Sequence, residues 1–245
     1  MSSVYFISDI HIHDDKEKKA QIFLRFLHFL EEQRTPATLI LGGDIFDLWL
    51  GAHPYFKNKF KTIVEKITKL VRSGHTIYYF EGNHDLHLKP FWQDQLGVKV
   101  YSDPEFFLFD GVVVRFEHGD QMNPEDRGYH FLRWFLRTPP LRWLILHLPS
   151  WLVSAIGNKA SQMSRQYTDG LRDEDKIREF MRDHVHRVFE QRPFDVVVHG
   201  HVHLRDDYTF EQDAKKVRSF NLGSWDHDSR ILRFEHGKWS WLDLT

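Results

Sequence analysis

Five short runs of β-branched and aromatic residues, each passing straight into a loop of Asp, His, Asn and Gly, constrain this chain more than any other feature. Val4–Ile7 leads into Ser8-Asp9-Ile10-His11, Thr38–Leu41 into Gly42-Gly43-Asp44, and Thr76–Phe80 into Glu81-Gly82-Asn83-His84-Asp85. Val112–Phe116 precedes Glu117-His118-Gly119-Asp120, and Val196–Val198 precedes His199-Gly200-His201-Val202-His203. Runs of this length and composition read as buried strands. Between them, Phe23, Phe26, Leu27 and Leu30 share one helical face, and Phe56, Phe60, Ile63, Val64, Ile67 and Leu70 share another. Asp14-Asp15 ahead of Lys16-Glu17-Lys18-Lys19 reads as a helix start with its acidic end first. Strand–helix alternation predicts a layered α/β fold. A chain of 245 residues without repeats or low-complexity linkers predicts one domain over 1–245. The alternation breaks over about 123–191, which reads as an insertion ending in a helix, and the tail reads as strands with a hairpin at His236-Gly237.

The strand-end loops offer Asp9, His11, Asp44, Asn83, His118, His201 and His203. Loops at the C-terminal ends of strands are where α/β sheets gather ligand-binding groups. Oxygen and imidazole donors suit Mn, Mg, Fe or Zn, and the absence of cysteine excludes disulfides, iron–sulfur clusters and thiol chemistry. In extended chain, Asp-x-His and His-x-His would put both side chains on one face. Glycines 42, 43, 82, 119 and 200 permit sharp turns and close approach to an ion. Seven ligands exceed one tetrahedral site but fit two divalent ions sharing a carboxylate, for which Asp44, flanked by glycine and an aliphatic run, is the candidate. A carboxylate in that role is expected to use both oxygens. Water bridging such a pair would be acidified toward a hydroxide nucleophile. Asp-x-His is common and Gly-Asn-His-Asp alone is more often a turn, His-Gly-His-Val-His is the stronger signal, and five such motifs in order are not independent turns.

A net charge of −2 gives no global attraction to nucleic acid, so no nucleic-acid partner is expected. No basic, apolar leader and no run of about 20 apolar residues is evident, which predicts a cytoplasmic protein.

Asp9-Ile10-His11, Gly43-Asp44, Gly82-Asn83-His84-Asp85, His118-Gly119 and Gly200-His201-Val202-His203, followed by Asn221-Leu222-Gly223-Ser224, together resemble the calcineurin-like metallophosphoesterases over about residues 4–225. The resemblance implies a four-layer αββα sandwich of two mixed sheets with helices outside. It implies one ion on Asp9, His11, Asp44 and His203 and another on Asp44, Asn83, His118 and His201. It also implies that His84 polarises the phosphoryl oxygen or helps the leaving group, and that Asp85 orients His84. Ile45-Phe46-Asp47-Leu48-Trp49-Leu50-Gly51, His118-Gly119-Asp120 and Asp126 are similar to the UDP-2,3-diacylglucosamine hydrolase branch. That branch carries a helical insertion at the same place. It implies a nucleotide-linked glycolipid as substrate, with Asp126 as a substrate contact, and the cytoplasmic face of the inner membrane as the workplace. A related phosphoesterase of the same branch, acting on another substrate, is the alternative. The branch usually carries Arg where this chain has His84, and its basic residues in the insertion are not matched clearly by Asn158–Asp169.

The insertion has its own signal. From Arg127 to Val153 there are arginines at 127, 133, 137 and 142 and no acidic residue, with Trp134, Trp143, Trp151, Phe131, Phe135 and several leucines. Pro139-Pro140 and Pro149 divide it into short helices. Basic residues beside Trp and Leu suit peripheral contact with lipid headgroups or acyl chains, and equally a packed cap or a dimer contact.

Overall fold

The computed structural model describes residues 3–150, 152–153, 173–226 and 228–244; Trp151 and Asn158–Asp169, singled out above, lie outside them. The elements run β1 (Val4–Ile7), α1 (Lys18–Glu31), β2 (Thr38–Leu41), β3 (Trp49–Leu50), α2 (Pro54–Lys59), α3 (Lys61–Arg72), β4 (Thr76–Phe80) and β5 (Asp85–Leu86). There follow β6 (Lys99–Tyr101), β7 (Glu105–Phe109), β8 (Val112–Glu117), α4 (Arg127–Leu136), α5 (Pro139–Leu146) and α6 (Glu174–Gln191). The last strands are β9 (Val196–His199), β10 (Asp206–Gln212), β11 (Lys215–Asn221), β12 (Arg230–Glu235) and β13 (Lys238–Asp243).

Two mixed sheets result, one of six strands in the order β13-β12-β1-β2-β4-β6 and one of five in the order β10-β11-β9-β8-β7. Strand alternation explains how they stack, because successive side chains point to opposite faces. On β1, Val4 and Phe6 meet Phe80, Phe116, Val198, Phe220 and Phe234 between the sheets. Tyr5 and Ile7 point the other way, into a cluster with Phe23, Phe26, Ile63 and Ile67 of α1 and α3. On the far side, Val185, Val188 and Phe189 of α6 cover Val197, Phe210 and Val217 of the five-stranded sheet. The order of layers is helices, sheet, sheet, helix, the αββα sandwich expected.

Two local expectations change. The shared face from Phe56 to Leu70 belongs to two helices, with a break at Phe60 (φ −110°, ψ 31°). The break lets Phe60 pack on Phe46 with ring centroids 4.3 Å apart, while Phe56 stays against Trp49. Asp15 does not start α1, which begins at Lys18; its Oδ2 accepts from the Thr62 amide at 3.1 Å, at the N-terminus of α3. The favourable end for an acid is the same, but the helix is a different one. At the tail, His236 and Gly237 both take positive φ (50° and 71°), the signature of the tight turn between β12 and β13.

The described part of the insertion is fastened to the body. The Leu148 carbonyl pairs with His53 Nε2 at 2.9 Å, the Leu136 carbonyl with His87 Nε2 at 3.1 Å, and Leu146 packs flat against Gly51. Among the described residues no helix is long and apolar enough to cross a membrane.

Phe6 is fully buried between the sheets, where its ring stacks on Phe116. Phe6→Ala is therefore expected to lower stability by about 3–5 kcal/mol, read as a reduced urea midpoint. A loss under about 1 kcal/mol would mean that the inter-sheet layer is not close-packed.

Candidate metal centre

Register brings the five loops to one edge. Ile7 pairs with Leu41 and Leu41 with Tyr79 in parallel, so the loops after β1, β2 and β4 leave side by side. Glu117 pairs with His199 and His199 with Asn221, which places the loops after β8 and β9 at the same end of the other sheet. Main-chain bonds then zip the loops together: Asp9 N to Gly43 O at 3.1 Å, His11 N to Asp44 O at 3.0 Å, and Gly200 N to His118 O at 2.9 Å. Asp9 ties one sheet to the other, since its Oδ2 accepts from the His201 amide at 2.9 Å.

The side chains gather in three overlapping groups, in each of which the ligand atoms lie within 4.8 Å of one another. They are Asp9, His11 and His203; His11, Asp44 and His84; and Asp44, His118 and His201. Asn83 joins the last through Oδ1, 3.3 Å from His118 Nε2. All seven candidate donors meet at one site, and His84 lies beside them with its ring edge-on to His11, centroids 5.0 Å apart.

The convergence does not come from extended chain. Asp9, His11, Asp44, His201 and His203 all have positive φ, between 50° and 68°. A side chain in this region costs on the order of 1 kcal/mol relative to ordinary backbone, so the loops are wound tightly rather than pleated. One consequence is that His201 and His203 part company, His203 joining Asp9 and His201 joining His118. Asp44 differs in detail from expectation too. Its Oδ1 accepts from the His84 amide at 2.9 Å, leaving Oδ2 alone to face His118 Nε2 at 3.6 Å and His11 Nε2 at 3.9 Å.

Two glycines make the crowding visible. A Cβ on Gly82 would stand 2.1 Å from Asp44 Oδ1 and 2.8 Å from its amide nitrogen, and one on Gly200 would stand 2.3 Å from Asp9 Oδ2. Only hydrogen fits where these carboxylates turn inward.

The electrostatics suit cations. Asp9 and Asp44 are buried, and Asp9 Oδ1 accepts no hydrogen bond. Burial pushes both carboxyls up, but the imidazoles of His203 and His118 beside Asp9, and of His118 and His84 beside Asp44, outweigh it and hold them below the usual range. Burial lowers the His11 pKa to about 4 and also lowers that of His201, keeping both as neutral lone-pair donors. Burial pulls His118 down, but Asp44 and Asp9 prevail and raise it to about 10. A divalent ion would compete with that proton, as metal binding generally does. His118 Nδ1 is matched to the Gly42 carbonyl at 2.8 Å, which aims Nε2 at Asp44 and Asn83. Two buried acids, one of them with an unsatisfied oxygen, faced by imidazoles, form a donor set that fits divalent ions.

One residue takes another place than expected. Asp85 does not reach the His84 ring. Its Oδ2 accepts from the Tyr79 hydroxyl at 2.8 Å and the Ile45 amide at 3.0 Å, so it braces the loop after Asp44. Burial and the nearby Asp44 charge raise its pKa well above the ordinary carboxyl value. His84 Nδ1 donates instead to the Asp47 carbonyl at 2.6 Å. Asp126 is exposed and caps α4, its Oδ1 accepting from the Tyr129 amide at 2.8 Å. Sequence reasoning passed over Asp47, whose Oδ2 pairs with His13 Nδ1 at 2.9 Å and whose Oδ1 lies 4.0 Å from His11 Nδ1. The signal was its place three residues after Asp44, where the loop folds back on itself.

Comparison with known proteins adds the following. Residues 2–205 match the family model described as calcineurin-like phosphoesterase. The UDP-2,3-diacylglucosamine hydrolase of Pseudomonas aeruginosa is 28% identical over 95% of both chains. That of Coxiella burnetii is 28% identical over 96% of this chain and 94% of its own. A novel archaeal phosphodiesterase of known structure aligns over 98% of this chain and 99% of its own, with 16% identity and a TM-score of 0.48.

Gly82→Ala is expected to displace Asp44 and to strip the protein of bound divalent metal, measured by elemental analysis after purification without chelator. Full metal content in that variant would show that the Asp44 carboxylate is not needed at this spot.

Proposed function

The chain belongs to the calcineurin-like phosphoesterase family, and from that premise we propose that it cleaves the phosphoanhydride of UDP-2,3-diacylglucosamine, giving UMP and 2,3-diacylglucosamine 1-phosphate. It is a metal-dependent phosphoester hydrolase; the substrate and the residue roles are our reading. The observation that carries the chemistry is Asp44 Oδ2, a single buried oxygen facing imidazoles of two donor groups. The substrate reading draws support from relatives that are similar over nearly the whole length, insertion included.

Asp9, His11, Asp44 and His203 would hold one ion, and Asp44, Asn83, His118 and His201 the other. Manganese is the favoured metal, and the same donors accept Mg, Fe or Zn. When bound, such ions supply Lewis acidity toward phosphoryl oxygens and lower the pKa of water. His11 and His201 contribute lone pairs because burial keeps them neutral. His84, with Nδ1 committed to the Asp47 carbonyl, leaves Nε2 for a phosphoryl or leaving-group oxygen.

The insertion supplies a second half to the reading. Phe131, Trp134 and Trp143 are 62%, 62% and 63% exposed, and Leu132, Phe135 and Leu144 are exposed beside them. Phe131 lies against both Trp134 and Phe135, so α4 carries a contiguous aromatic surface. Apolar rings among arginines match the interface of a lipid layer. A glycolipid substrate would bring the enzyme to the cytoplasmic face of the inner membrane, with this surface in the headgroup region.

Incubating the Mn-loaded enzyme with UDP-2,3-diacylglucosamine is expected to release UMP, detected chromatographically, and to stop on addition of chelator. Hydrolysis of bis-p-nitrophenyl phosphate with no UMP from the glycolipid would keep the phosphoesterase and overturn the substrate.

Replacing Trp134 and Trp143 together by Ser is expected to remove roughly 2 kcal/mol of apolar transfer, a ~30-fold fall in partition onto liposomes. Unchanged partition in a flotation assay would assign the exposed rings to a contact between proteins.

A further inference from the structure

One face of α4 carries a polar stripe that the proposed chemistry leaves unused. Tyr129, Arg133 and Arg137 recur every four residues, so their side chains line up along the helix. The Tyr129 hydroxyl donates to Asp120 Oδ2, and Arg133 Nε donates to the same oxygen at 3.1 Å. Arg137 Nη2 donates to Glu81 Oε2 at 3.1 Å. Arg133 also donates to the Ser102 carbonyl, and Arg137 Nη1 to the Arg133 carbonyl at 3.5 Å. Phe131, Trp134 and Phe135 are exposed from the same helix.

Both acids are buried, and each stands two residues from a candidate donor: Asp120 after His118, Glu81 before Asn83. Glu81 Oε1 accepts from the Leu88 amide at 2.9 Å, closing the loop that carries Asn83 and His84. Breaking a buried ion pair from one side leaves the remaining charge uncompensated, and the backbone that bears it must move toward water. The helix from the insertion thus pairs with a buried acid in each of two donor loops.

We propose that Tyr129, Arg133 and Arg137 are positioning residues, which act through Asp120 and Glu81 to hold His118 and Asn83 in register for the ion shared with His201. This rests on the reading of these side chains as metal donors, and it makes the insertion part of the metal centre rather than only a cover over it. Groups that orient ligands from outside govern affinity for the ion as well as turnover.

The test uses the full chain, freed of metal and titrated with Mn alone. Tyr129→Phe removes one hydroxyl and Arg137→Gln one charge. Each is expected to weaken the Mn affinity by ~10-fold and to lower kcat on bis-p-nitrophenyl phosphate by a similar factor, with KM little changed. Arg137→Lys, which keeps the charge, is expected to recover most of the loss; no recovery would trace the effect to packing and overturn the pairing with Glu81. Wild-type Mn affinity and kcat in both variants would overturn the proposal even if their thermal midpoints fall, because a stripe that only stabilises the fold would move the midpoint alone. Should Arg137→Gln fail to fold, Tyr129→Phe decides by itself. A wild-type chain that takes up no Mn would remove the metal reading and this inference together, before any variant is made. Neither arm uses the glycolipid, so failure of that substrate leaves the test intact.

Discussion

Two carboxylates buried at the seam of two sheets set the terms for the rest of the site. Asp9 and Asp44 lie against His203, His11 and His118, and among the described residues no arginine or lysine pairs with either. An acid sealed from water beside a permanent cation is already neutralised; one faced by imidazoles is matched to a charge that arrives from outside. The cost of that arrangement is spread over the loops. Five donor residues accept left-handed backbone, and glycine is required where a Cβ would strike a carboxylate. Strain of this kind persists only where surrounding structure over-determines it. Here the determinants are the parallel registers of β1, β2 and β4 and of β8, β9 and β11.

Much of this is legible in the sequence because strand ends announce themselves chemically. A run such as Val4–Ile7 followed by Asp9 and His11 changes from apolar to ligating within two residues, and the five repeats of that change locate the site without coordinates. What the sequence hides is orientation. Nothing in Gly-His-Val-His says that His201 and His203 serve different groups, because their separation depends on two successive left-handed turns. Nothing in Asn-His-Asp says that Asp85 turns away from His84 toward Tyr79 and Ile45, because its partners come from β4 and from the loop after β2. Phe60 is a similar case: a continuous apolar stripe conceals a break at which Phe60 packs on Phe46 and Trp49.

The insertion shows how one helix can serve two environments. Along α4, Tyr129, Arg133 and Arg137 turn to buried acids while Phe131, Trp134 and Phe135 meet solvent. This inverts the usual amphipathic rule, in which the apolar face seeks the body and the charged face seeks water. The inversion is stable because Asp120 and Glu81 supply the missing charge and because α4 has tertiary ties to follow, through Leu136 and the residues of α5 that pack on the main core. A helix so arranged leaves its apolar side exposed without weakening its own attachment.

His84 bears on how a phosphoester substrate would be held. An arginine here would present a fork with five donors that can grip a phosphate through two bonds at once. Histidine with Nδ1 given to the Asp47 carbonyl has one nitrogen left. From this position the chain can make a single directional contact to a phosphoryl oxygen, so the grip that arginine would provide has to come from elsewhere. Divalent ions held by the donor set would supply neutralising charge but no recognition of what lies beyond the phosphates. On the proposed reading, discrimination among phosphoesters would shift outward, from the Asn83-His84 loop to the insertion, which offers both cationic side chains and an exposed apolar surface.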